Sequence, residues 1–480
     1  MKNWPVYDIL KEAAHQWPNN PAVHDGYGTL SFKQLFIETE ELRNQLLKMG
    51  IKEGMGIGVI AANGRNFIIG IFAAVGCGAA VMPMSPLLKQ PEVDDILKDA
   101  RLHAIIDDRS GMQPLDTIET VIPLKNGSFR FGFTGIHESV VFAPFVSQPA
   151  FIRFTSGTTG KSKGVIVSHQ SVIDRIIAAN KGLELGSSDT VVWVLPMAYH
   201  FIVSIVLYVK FGTAIAVAKD FLAKNIIEVT NRYRGTLLYA SPLQIKLLAG
   251  DNSREMMPSL KKVISTSAGI SPDVCKAFTK RFGIDVSQAY GIIEIGLPIL
   301  NCTKSDEHPE AVGYAVPGYT VDILDDKHQP LPAGQIGQLG IKGPGMFDAY
   351  LVPPTPSKDV LKNGYFLTAD TASKTNDGLI KIEGRSKSVI NVSGLKVFPE
   401  EVEAVLETIP EIKQARVSSS PHPLTGQIIE AELVLHEGVT VDPEEILTYC
   451  KKRLSSFKAP QRIKIVDSLP MTGSGKLQRH

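Results

Sequence analysis

The feature that most constrains the fold of this 480-residue chain is a repeated alternation of short, β-branched apolar runs with stretches of helical periodicity. Strands that alternate with helices predict parallel pairing, because a parallel connection needs a crossover of helical size. The predicted strands of this kind cover 56–61, 79–83, 104–106, 191–195, 214–218, 236–239 and 262–265. The chain is therefore expected to fold as α/β layers on at least partly parallel sheets.

The sequence pattern changes twice towards the C-terminus. From 312 to 342, turn residues separate short predicted strands at 320–324 and 337–341, which is typical of a small antiparallel region. After Gly384 the predicted elements are helices at 399–408 and 443–454 and strands at 414–418, 430–435 and 462–466. We therefore predict a large N-terminal α/β domain, residues 1–385, with a small β subdomain from about 310 to 385, then a small α+β C-terminal domain, residues 386–480.

Composition and charge exclude several classes of protein. The 50 basic and 49 acidic residues nearly cancel, so no broad positive field favours nucleic acid as a partner. Two long uncharged runs, 66–88 and 191–209, contain glycine or proline and fit buried core elements better than membrane spans. The four cysteines form no C-x-x-C pair, and no apolar signal core follows the N-terminus. We expect a cytoplasmic protein without a transmembrane span.

Residues 154–169 read F-T-S-G-T-T-G-K-S-K-G-V-I-V-S-H and predict a phosphate-binding loop. Phosphates need open backbone N–H donors, hydroxyl groups and nearby positive charge, which this segment supplies. A Walker A loop would have glycine where Thr155 stands and would open a helix, whereas 165–168 predicts a strand. A flexible polar hairpin would explain the glycines but not the dense threonine and lysine. The candidate ligands of a nucleoside triphosphate are Thr155, Ser156, Gly157, Thr158, Thr159, Gly160 and Lys163.

Five motifs in a fixed order resemble the adenylate-forming superfamily of acyl-CoA synthetases, adenylation domains and luciferases, most closely a stand-alone acyl-CoA ligase. They are the loop at 155–164, Q-A-Y-G-I-I-E at 288–294, Y-F-L-T-A-D at 365–370, G-R-S-K at 384–387 leading to P-E-E-V-E at 399–403, and P-M-T-G-S-G-K at 470–476. The resemblance implies that a carboxylate attacks the α-phosphate of ATP to give acyl-AMP and pyrophosphate, after which a thiol displaces AMP. It also implies ATP, Mg²⁺ and coenzyme A.

The resemblance assigns roles to residues of this chain. Lys476 is expected to bridge the carboxylate and the α-phosphate, Glu294 to hold Mg²⁺, and His200 to line the acid pocket. Tyr290 is expected to stack on adenine. The remaining implied nucleotide-binding residues are Ser267, Ala268, Gly269, Gly291, Asp370 and Arg385, the last two holding the ribose. Without the motifs, Lys476 reads as a terminal lysine, His200 as a core histidine, and Asp370 and Arg385 as surface residues.

The resemblance further implies that the C-terminal domain is a mobile lid. Lys387 matches the hinge about which it swings between the two half-reactions. That rotation would withdraw Lys476 and bring Ser393 and Gly394 in to line a tunnel for the thiol. Two departures from the family pattern, Ile293 for a common threonine and Ala369 for a common glycine, leave the charged groups in place.

The residues after the predicted turn at 196 indicate the class of acid. Amino-acid-activating relatives carry an aspartate there, whereas 199–204 reads Y-H-F-I-V-S and the neighbourhood to 209 is apolar. A fatty or aromatic carboxylic acid is therefore expected, with coenzyme A as the acceptor. The alternatives are an acyl-AMP ligase that loads a carrier protein, a nucleotide- or acyl-binding protein with decayed catalysis, and, last, a P-loop kinase.

Overall fold

The helices and strands follow from a computed structural model, which describes residues 4–108, 120–137, 145–155, 163–385 and 390–469. The α-helices are α1 Pro5–Gln16, α2 Phe32–Lys48, α3 Arg65–Gly76, α4 Gln90–Ala100, α5 His169–Leu183, α6 Leu207–Lys210, α7 Ala223–Arg232, α8 Pro242–Ala249, α9 Pro272–Phe282, α10 Ser357–Val360, α11 Pro399–Leu406 and α12 Pro443–Arg453. A 3₁₀ turn at Met197–Tyr199 and a π-helix at Phe201–Val206 precede α6.

The strands are numbered in chain order. They are β1 Pro21–Asp25, β2 Gly28–Ser31, β3 Gly56–Ile60, β4 Ala80–Met84, β5 Ala104–Asp107, β6 Thr120–Leu124, β7 Gly127–Phe133, β8 Pro149–Thr155, β9 Lys163–Ser168, β10 Thr190–Trp193, β11 Ala214–Val217, β12 Leu237–Ala240, β13 Lys262–Ser265, β14 Val286–Ile292, β15 Gly296–Leu300, β16 Tyr314–Ala315, β17 Thr320–Leu324, β18 Gly337–Lys342, β19 Ala349–Tyr350, β20 Thr355–Pro356, β21 Phe366–Lys374, β22 Ile380–Arg385, β23 Ile390–Val392, β24 Leu395–Val397, β25 Ile412–His422, β26 Gly426–Leu435 and β27 Arg462–Ile465.

Two nine-stranded sheets form the large N-terminal part. One has the order β16-β15-β14-β13-β12-β10-β11-β1-β2, and its strands from β14 to β1 pair in parallel. The other has the order β20-β19-β9-β8-β4-β3-β5-β7-β6, with parallel pairing among β8, β4, β3 and β5. The expected α/β layers on partly parallel sheets are confirmed.

A smaller sheet, β17-β18-β21-β22, is antiparallel throughout. The range 310–385 does not form this sheet alone, because β16 pairs with β15 and β19 pairs with β9 in the two large sheets. Three further strands of the range, β16, β19 and β20, therefore join the segment of the small sheet to the two large sheets.

The C-terminal segment builds its own layer. Strands β23 to β27 form one sheet, with α11 and α12 packed on it, and a hydrophobic cluster that includes Val402, Leu433 and Cys450 lies between them. The buried residues of that cluster all lie between 390 and 459. This segment therefore has a core separate from that of the N-terminal part.

Local sequence signals explain where several helices begin. Ser31 and Gln34 form a capping box at the start of α2, in which the Gln34 backbone N–H donates to Ser31 Oγ at 3.3 Å. Ser168 caps α5 by accepting from the Ser171 N–H at 3.2 Å. Among the described residues, no helix is both long enough and apolar enough to cross a membrane.

Candidate functional site

The predicted phosphate loop connects two antiparallel strands. Thr155, at the end of β8, pairs with Lys163, at the start of β9. The chain leaves the loop as a strand and not as a helix, as the sequence predicted and unlike a P-loop NTPase. The predicted residues Ser156, Gly157, Thr158, Thr159 and Gly160 lie outside the described residues, as do Lys387 and Lys476.

Several other predicted residues meet at the carboxyl edge of the first large sheet. Ser267, Ala268 and Gly269 follow β13, and Tyr290 and Gly291 lie in its parallel neighbour β14. Ser267 has a φ of +74°, a conformation that side chains rarely adopt and that often marks functional positions. The carboxyl ends of parallel strands are where open α/β sheets bind ligands.

The predicted ribose-binding residues reach this edge from the small sheet. Asp370 in β21 is 3% exposed, and its Oδ2 accepts a hydrogen bond from Tyr290 Oη at 2.6 Å. Asp370 also lies directly opposite Arg385 of β22 in the strand register. The structure thus brings together three residues that are up to 95 positions apart in the chain.

Glu294 lies in the turn between β14 and β15, held at both its backbone and its side chain. Its carbonyl accepts from the Phe347 N–H at 2.7 Å, and its Oε1 accepts from Tyr350 Oη at 3.1 Å. Burial, together with the negative charge of Glu294, raises the pKa of Tyr350 well above its usual range, so the phenol stays a donor. Tyr350 was not predicted, because nothing in its local sequence marks it.

Arg175 of α5 holds the same turn through hydrogen bonds to backbone carbonyls. Its side chain is 1% exposed, its Nε donates to the Gly345 carbonyl at 2.7 Å and its Nη1 donates to the Ile293 carbonyl at 2.8 Å. Burial lowers the pKa of Arg175 to about 10, opposed by nearby groups that include Glu294, so it remains a cation at neutral pH. An arginine amid the apolar residues of α5 was the available sequence signal, and it was missed.

His200 lies beside the predicted purine-binding segment. Its Nε2 is 3.4 Å from Ser267 Oγ, at hydrogen-bond distance. The π-helix Phe201–Val206 begins at the next residue, and its side chains are buried apart from the half-buried Val203. The run 191–209 therefore forms buried core elements, as predicted, but its helix begins with turns that are wider than α-helical.

A second, partly buried arginine lies close to the predicted acid pocket. Arg153 of β8 donates from Nη1 to the Ala198 carbonyl at 3.1 Å, and its guanidinium carbon lies 5.1 Å from the centre of the Tyr199 ring. Burial lowers the pKa of Arg153 to about 10, while Tyr199 and Glu294 oppose the shift. Arg153 therefore places a positive charge within electrostatic reach of both Tyr199 and Glu294.

The C-terminal segment reaches into the site through a turn at Ser393 and Gly394. Asn391 Nδ2 donates to the Ser267 carbonyl at 3.0 Å, and Asn391 Oδ1 accepts from the Gly394 N–H at 2.8 Å. Gly394 has a φ of +91°, and a Cβ there would lie 2.9 Å from Ser241 Cβ at the start of α8. The predicted tunnel residues therefore lie against the edge that carries the nucleotide-binding candidates.

The turn between β14 and β15 offers one carboxylate, that of Glu294, as a ligand for Mg²⁺. Within the described residues, no group of three or more His, Cys, Asp or Glu side chains is placed to hold a metal. Mg²⁺ keeps several waters and binds through one or two carboxylates plus substrate phosphates. The Glu294 carboxylate, held by Tyr350, is compatible with that donor set.

Comparisons with known proteins agree with this arrangement. Residues 10–351 match a family model described as AMP-binding enzyme, and residues 401–476 match its C-terminal domain. Feruloyl-CoA synthase from an Amycolatopsis species is 24% identical over 99% of this chain and 96% of its own length. Oxalate–CoA ligase from Arabidopsis thaliana is 27% identical over 98% and 96%.

A solved structure shows the same fold. It is o-succinylbenzoate CoA synthetase from Bacillus subtilis, a double mutant bound to a product analogue. The TM-score is 0.84 at 22% sequence identity, and the match covers 98% of this chain and 97% of that one. The architecture of a large N-terminal part and a smaller C-terminal part is therefore shared over nearly the full length.

Proposed function

This chain belongs to the AMP-binding enzyme family as an AMP-forming acid–CoA ligase, and from that premise we propose that its acid is apolar, either fatty or aromatic. In the first half-reaction the acid's carboxylate attacks the α-phosphate of ATP and pyrophosphate leaves. In the second, the thiol of coenzyme A attacks the acyl carbonyl and AMP leaves. The two half-reactions use one site in succession.

The observation that supports both half-reactions at one site is the position of Ser267. Its hydroxyl lies 3.4 Å from His200, beside the pocket for the acid, and its carbonyl accepts from Asn391, beside the turn at 393–394. The segment that Ser267 begins is the one proposed to lie along the purine. Acid, nucleotide and thiol would therefore meet within the reach of one residue, as sequential acyl transfer requires.

The neighbouring side chains are proposed to bind different parts of ATP. Tyr290 would stack on the adenine, while Asp370 and the cross-strand Arg385 would hold the ribose hydroxyl groups. Glu294 would hold Mg²⁺, which neutralises phosphate charge when bound. Lys476 would bridge the two reacting anions during the first half-reaction.

The composition of the segment around the predicted acid pocket supports an apolar acid. The π-helix Phe201–Val206 reads F-I-V-S-I-V, and no acidic residue occurs in the segment 199–209 to pair with a substrate ammonium group. An uncompensated ammonium group in such surroundings would lose its hydration without a partner. Amino acids are therefore the least suitable substrates.

Arg153 favours a second class of acid. Its partly buried guanidinium lies against Tyr199 beside the predicted acid pocket, where a second carboxylate on the substrate would gain a charge-assisted hydrogen bond. A dicarboxylic acid is the second candidate, and Arg153 is the residue that distinguishes it from a fatty or aromatic one.

The experiment that tests the proposal measures pyrophosphate and AMP with ATP and Mg²⁺ for octanoate, benzoate, succinate and phenylalanine, each with and without coenzyme A. Turnover of octanoate or benzoate that needs coenzyme A is the expected result. Preference for succinate, lost in Arg153→Met, would instead establish the second class. Coenzyme-A-independent turnover would point to a carrier protein, and ADP as product would contradict adenylation.

A matched pair of lysine variants tests the assigned chemistry. Lys476→Ala is expected to slow pyrophosphate release by about a hundredfold or more, because one preorganised contact to a developing charge has effects of that size. Lys464→Ala is the control, since Lys464 is exposed on β27 and lies 3.8 Å from Glu430 within the same domain. Equal activity of the two variants would remove Lys476 from the mechanism.

A further inference from the structure

The two domains also meet at a polar cluster around Glu92, which none of the nucleotide-binding assignments uses. Glu92 lies in the first turn of α4, in the N-terminal domain. Its Oε1 lies 2.9 Å from Lys458 Nζ, and its Oε2 accepts from Ser455 Oγ at 2.6 Å. Ser455 and Lys458 both belong to the segment between α12 and β27 of the C-terminal domain. The carboxylate thus binds two side chains across the domain boundary.

Lys458 is shared between the two domains. Besides Glu92, it lies 3.3 Å from Glu401 Oε2 of α11, in its own domain. The Lys458 side chain is 17% exposed and that of Glu92 is 9% exposed. Burial alone would lower the pKa of Lys458, but the carboxylates of Glu401 and Glu92 raise it above its usual range, so it is charged at neutral pH.

This cluster lies close to the acid pocket. The phenol of Tyr199, the residue before His200, lies within electrostatic reach of both Lys458 and Glu92. Burial is the main cause of the raised pKa of Tyr199, which keeps the phenol neutral beside them. The cluster therefore connects the C-terminal domain to Tyr199, beside the predicted acid pocket.

The orientation that forms the cluster also places Asn391 against Ser267 and Gly394 against Ser241. We propose that Glu92, Lys458 and Glu401 form an interdomain latch that holds the C-terminal domain in the orientation for thiol transfer. Glu92 and Lys458 are then positioning residues for the second half-reaction. The expected effect on thioester formation rests on the proposed function. The expected effect on the orientation of the C-terminal domain rests on the interdomain contacts alone.

The charges of the latch remain partly compensated when the domain turns away. Lys458 keeps Glu401, and Glu92 keeps the backbone N–H of Lys89, which donates to its Oε2 at 3.0 Å as part of the α4 cap. A buried ion left with no partner would cost far more than an exposed one. The latch can therefore open without leaving an isolated charge behind.

The kinetic test separates the two half-reactions. Glu92→Gln keeps the helix cap and removes the charge, and Lys458→Met removes the ammonium group at similar length. Enzyme-bound acyl-AMP is formed from ATP and octanoate, or benzoate if that is the better substrate, and then mixed with coenzyme A in a single turnover. We expect thioester formation to slow about fivefold or more in either variant, with pyrophosphate release in the first half-reaction retained.

Two comparisons assign that effect to the latch. The double variant Glu92→Gln/Lys458→Met is expected to be no slower than the slower of the two single variants, because both substitutions remove the same contact between Glu92 and Lys458. Lys464→Met removes a lysine that pairs with Glu430 inside the C-terminal domain, and it should leave both half-reactions unchanged. Equal slowing of both half-reactions, additive effects or an equal effect of Lys464→Met would overturn the proposal.

A distance measurement tests the latch without any substrate. Spin labels are attached at Lys276→Cys and Glu437→Cys, both exposed and one in each domain, with the exposed Cys302 replaced by serine. Pulsed electron resonance is expected to give one main interdomain distance, and Lys458→Met is expected to add a second population. An unchanged distribution would refute the latch, whereas failure of every acid to react would refute only the proposed function.

Discussion

At the scale of single residues, the hydrogen bond from Tyr290 to Asp370 gives the sharpest test of the nucleotide site. Tyr290→Phe keeps the ring that would stack on adenine and removes the 2.6 Å bond that orients the carboxylate. The lost bond to a charged group predicts that the KM for ATP rises about tenfold, with a smaller change in kcat. Initial rates of pyrophosphate release against ATP concentration measure both constants.

A second tyrosine provides the matched control. Tyr314 Oη donates to Asp377 Oδ2 at 2.9 Å, in the same kind of bond on an exposed surface away from the candidate site. Tyr314→Phe should leave the KM for ATP unchanged. An unchanged KM in Tyr290→Phe as well would show that the Asp370 carboxylate does not bind the ribose.

Arg175 holds the turn that carries Glu294. We therefore expect its substitution to lower both the stability of the protein and its affinity for Mg²⁺. In Arg175→Met the carbonyls of Gly345 and Ile293 lose their donors, so the free energy of unfolding should fall by about 2–5 kcal/mol. The Mg²⁺ concentration for half-maximal activity should rise, because Glu294 follows Ile293 directly. Urea unfolding and magnesium titration measure the two effects.

Arg281 distinguishes lost stability from lost positioning. It also donates to backbone carbonyls, at Ser253 and Glu255, both at 2.7 Å, but it lies in α9. Arg281→Met should destabilise the protein without changing the Mg²⁺ requirement. If both variants shift the magnesium requirement alike, general destabilisation and not Arg175 is the cause.

The sequence predicted candidate site residues that belong to contiguous motifs, and it did not predict Arg175 and Tyr350, which contact the candidate site across the fold. Tyr290, Asp370 and Glu294 stand in motifs whose order resembles a known family. Arg175 contacts the carbonyl of Ile293, which is 118 positions away, and no local pattern encodes such a contact. The same holds for Tyr350.

At the scale of elements, the strands were predictable because buried parallel strands are β-branched and nearly continuous in apolar character. The strand predicted at 262–265 is β13 to the residue, and that at 236–239 is shifted by one. The π-helix Phe201–Val206 was not predicted, because five apolar residues and one serine carry no period that separates it from an α-helix. The pairing of β19 with β9 could not be predicted either, because a strand of two residues carries no pattern that identifies its partner.

Helix α5 carries a titrating residue at its first position, His169. Its side chain is 1% exposed, and its Nδ1 accepts from the Val6 N–H at 3.2 Å, which requires an unprotonated Nδ1. Burial lowers the pKa of His169 to about 4, against about 6.5 in an unfolded chain. Between these values the unfolded state binds the additional proton, so the stability from this residue is full above pH 6.5 and declines as the pH falls.

The prediction is a pH-dependent difference between two proteins. Asn at 169 can accept from Val6 and cannot titrate, so His169→Asn should lose less stability on acidification. Between pH 7 and about pH 5, the free energy of unfolding of the wild type should fall about 2 kcal/mol more than that of the variant. Urea unfolding at both pH values measures it, and parallel losses would show that His169 is not the responsible group.

At the scale of the whole molecule, each of the two domains has a separate hydrophobic core, and polar contacts connect the domains. Asn391 donates to the Ser267 carbonyl, Lys458 pairs with Glu92, and Lys246 donates to the Pro423 carbonyl. Polar interdomain contacts can be exchanged for others at small cost, whereas a shared hydrophobic core cannot. The separation of cores is what permits one site to serve two half-reactions.

That separation predicts two unfolding transitions that can be shifted one at a time. Leu433 in β26 and Leu238 in β12 are both fully buried, and they belong to the cores of different domains. A buried Leu→Ala substitution costs about 2–5 kcal/mol. For a domain of roughly 90 residues this corresponds to a fall in Tm of about 10 °C or more.

Calorimetry of Leu433→Ala should therefore lower only the transition of smaller enthalpy, and Leu238→Ala only the larger one. The latch variant Lys458→Met should leave both enthalpies unchanged, because it alters a contact between the domains and neither core. A single transition that moves in both leucine variants would mean that the domains unfold as one unit. The C-terminal domain could then not turn as a rigid body, as the proposed latch requires.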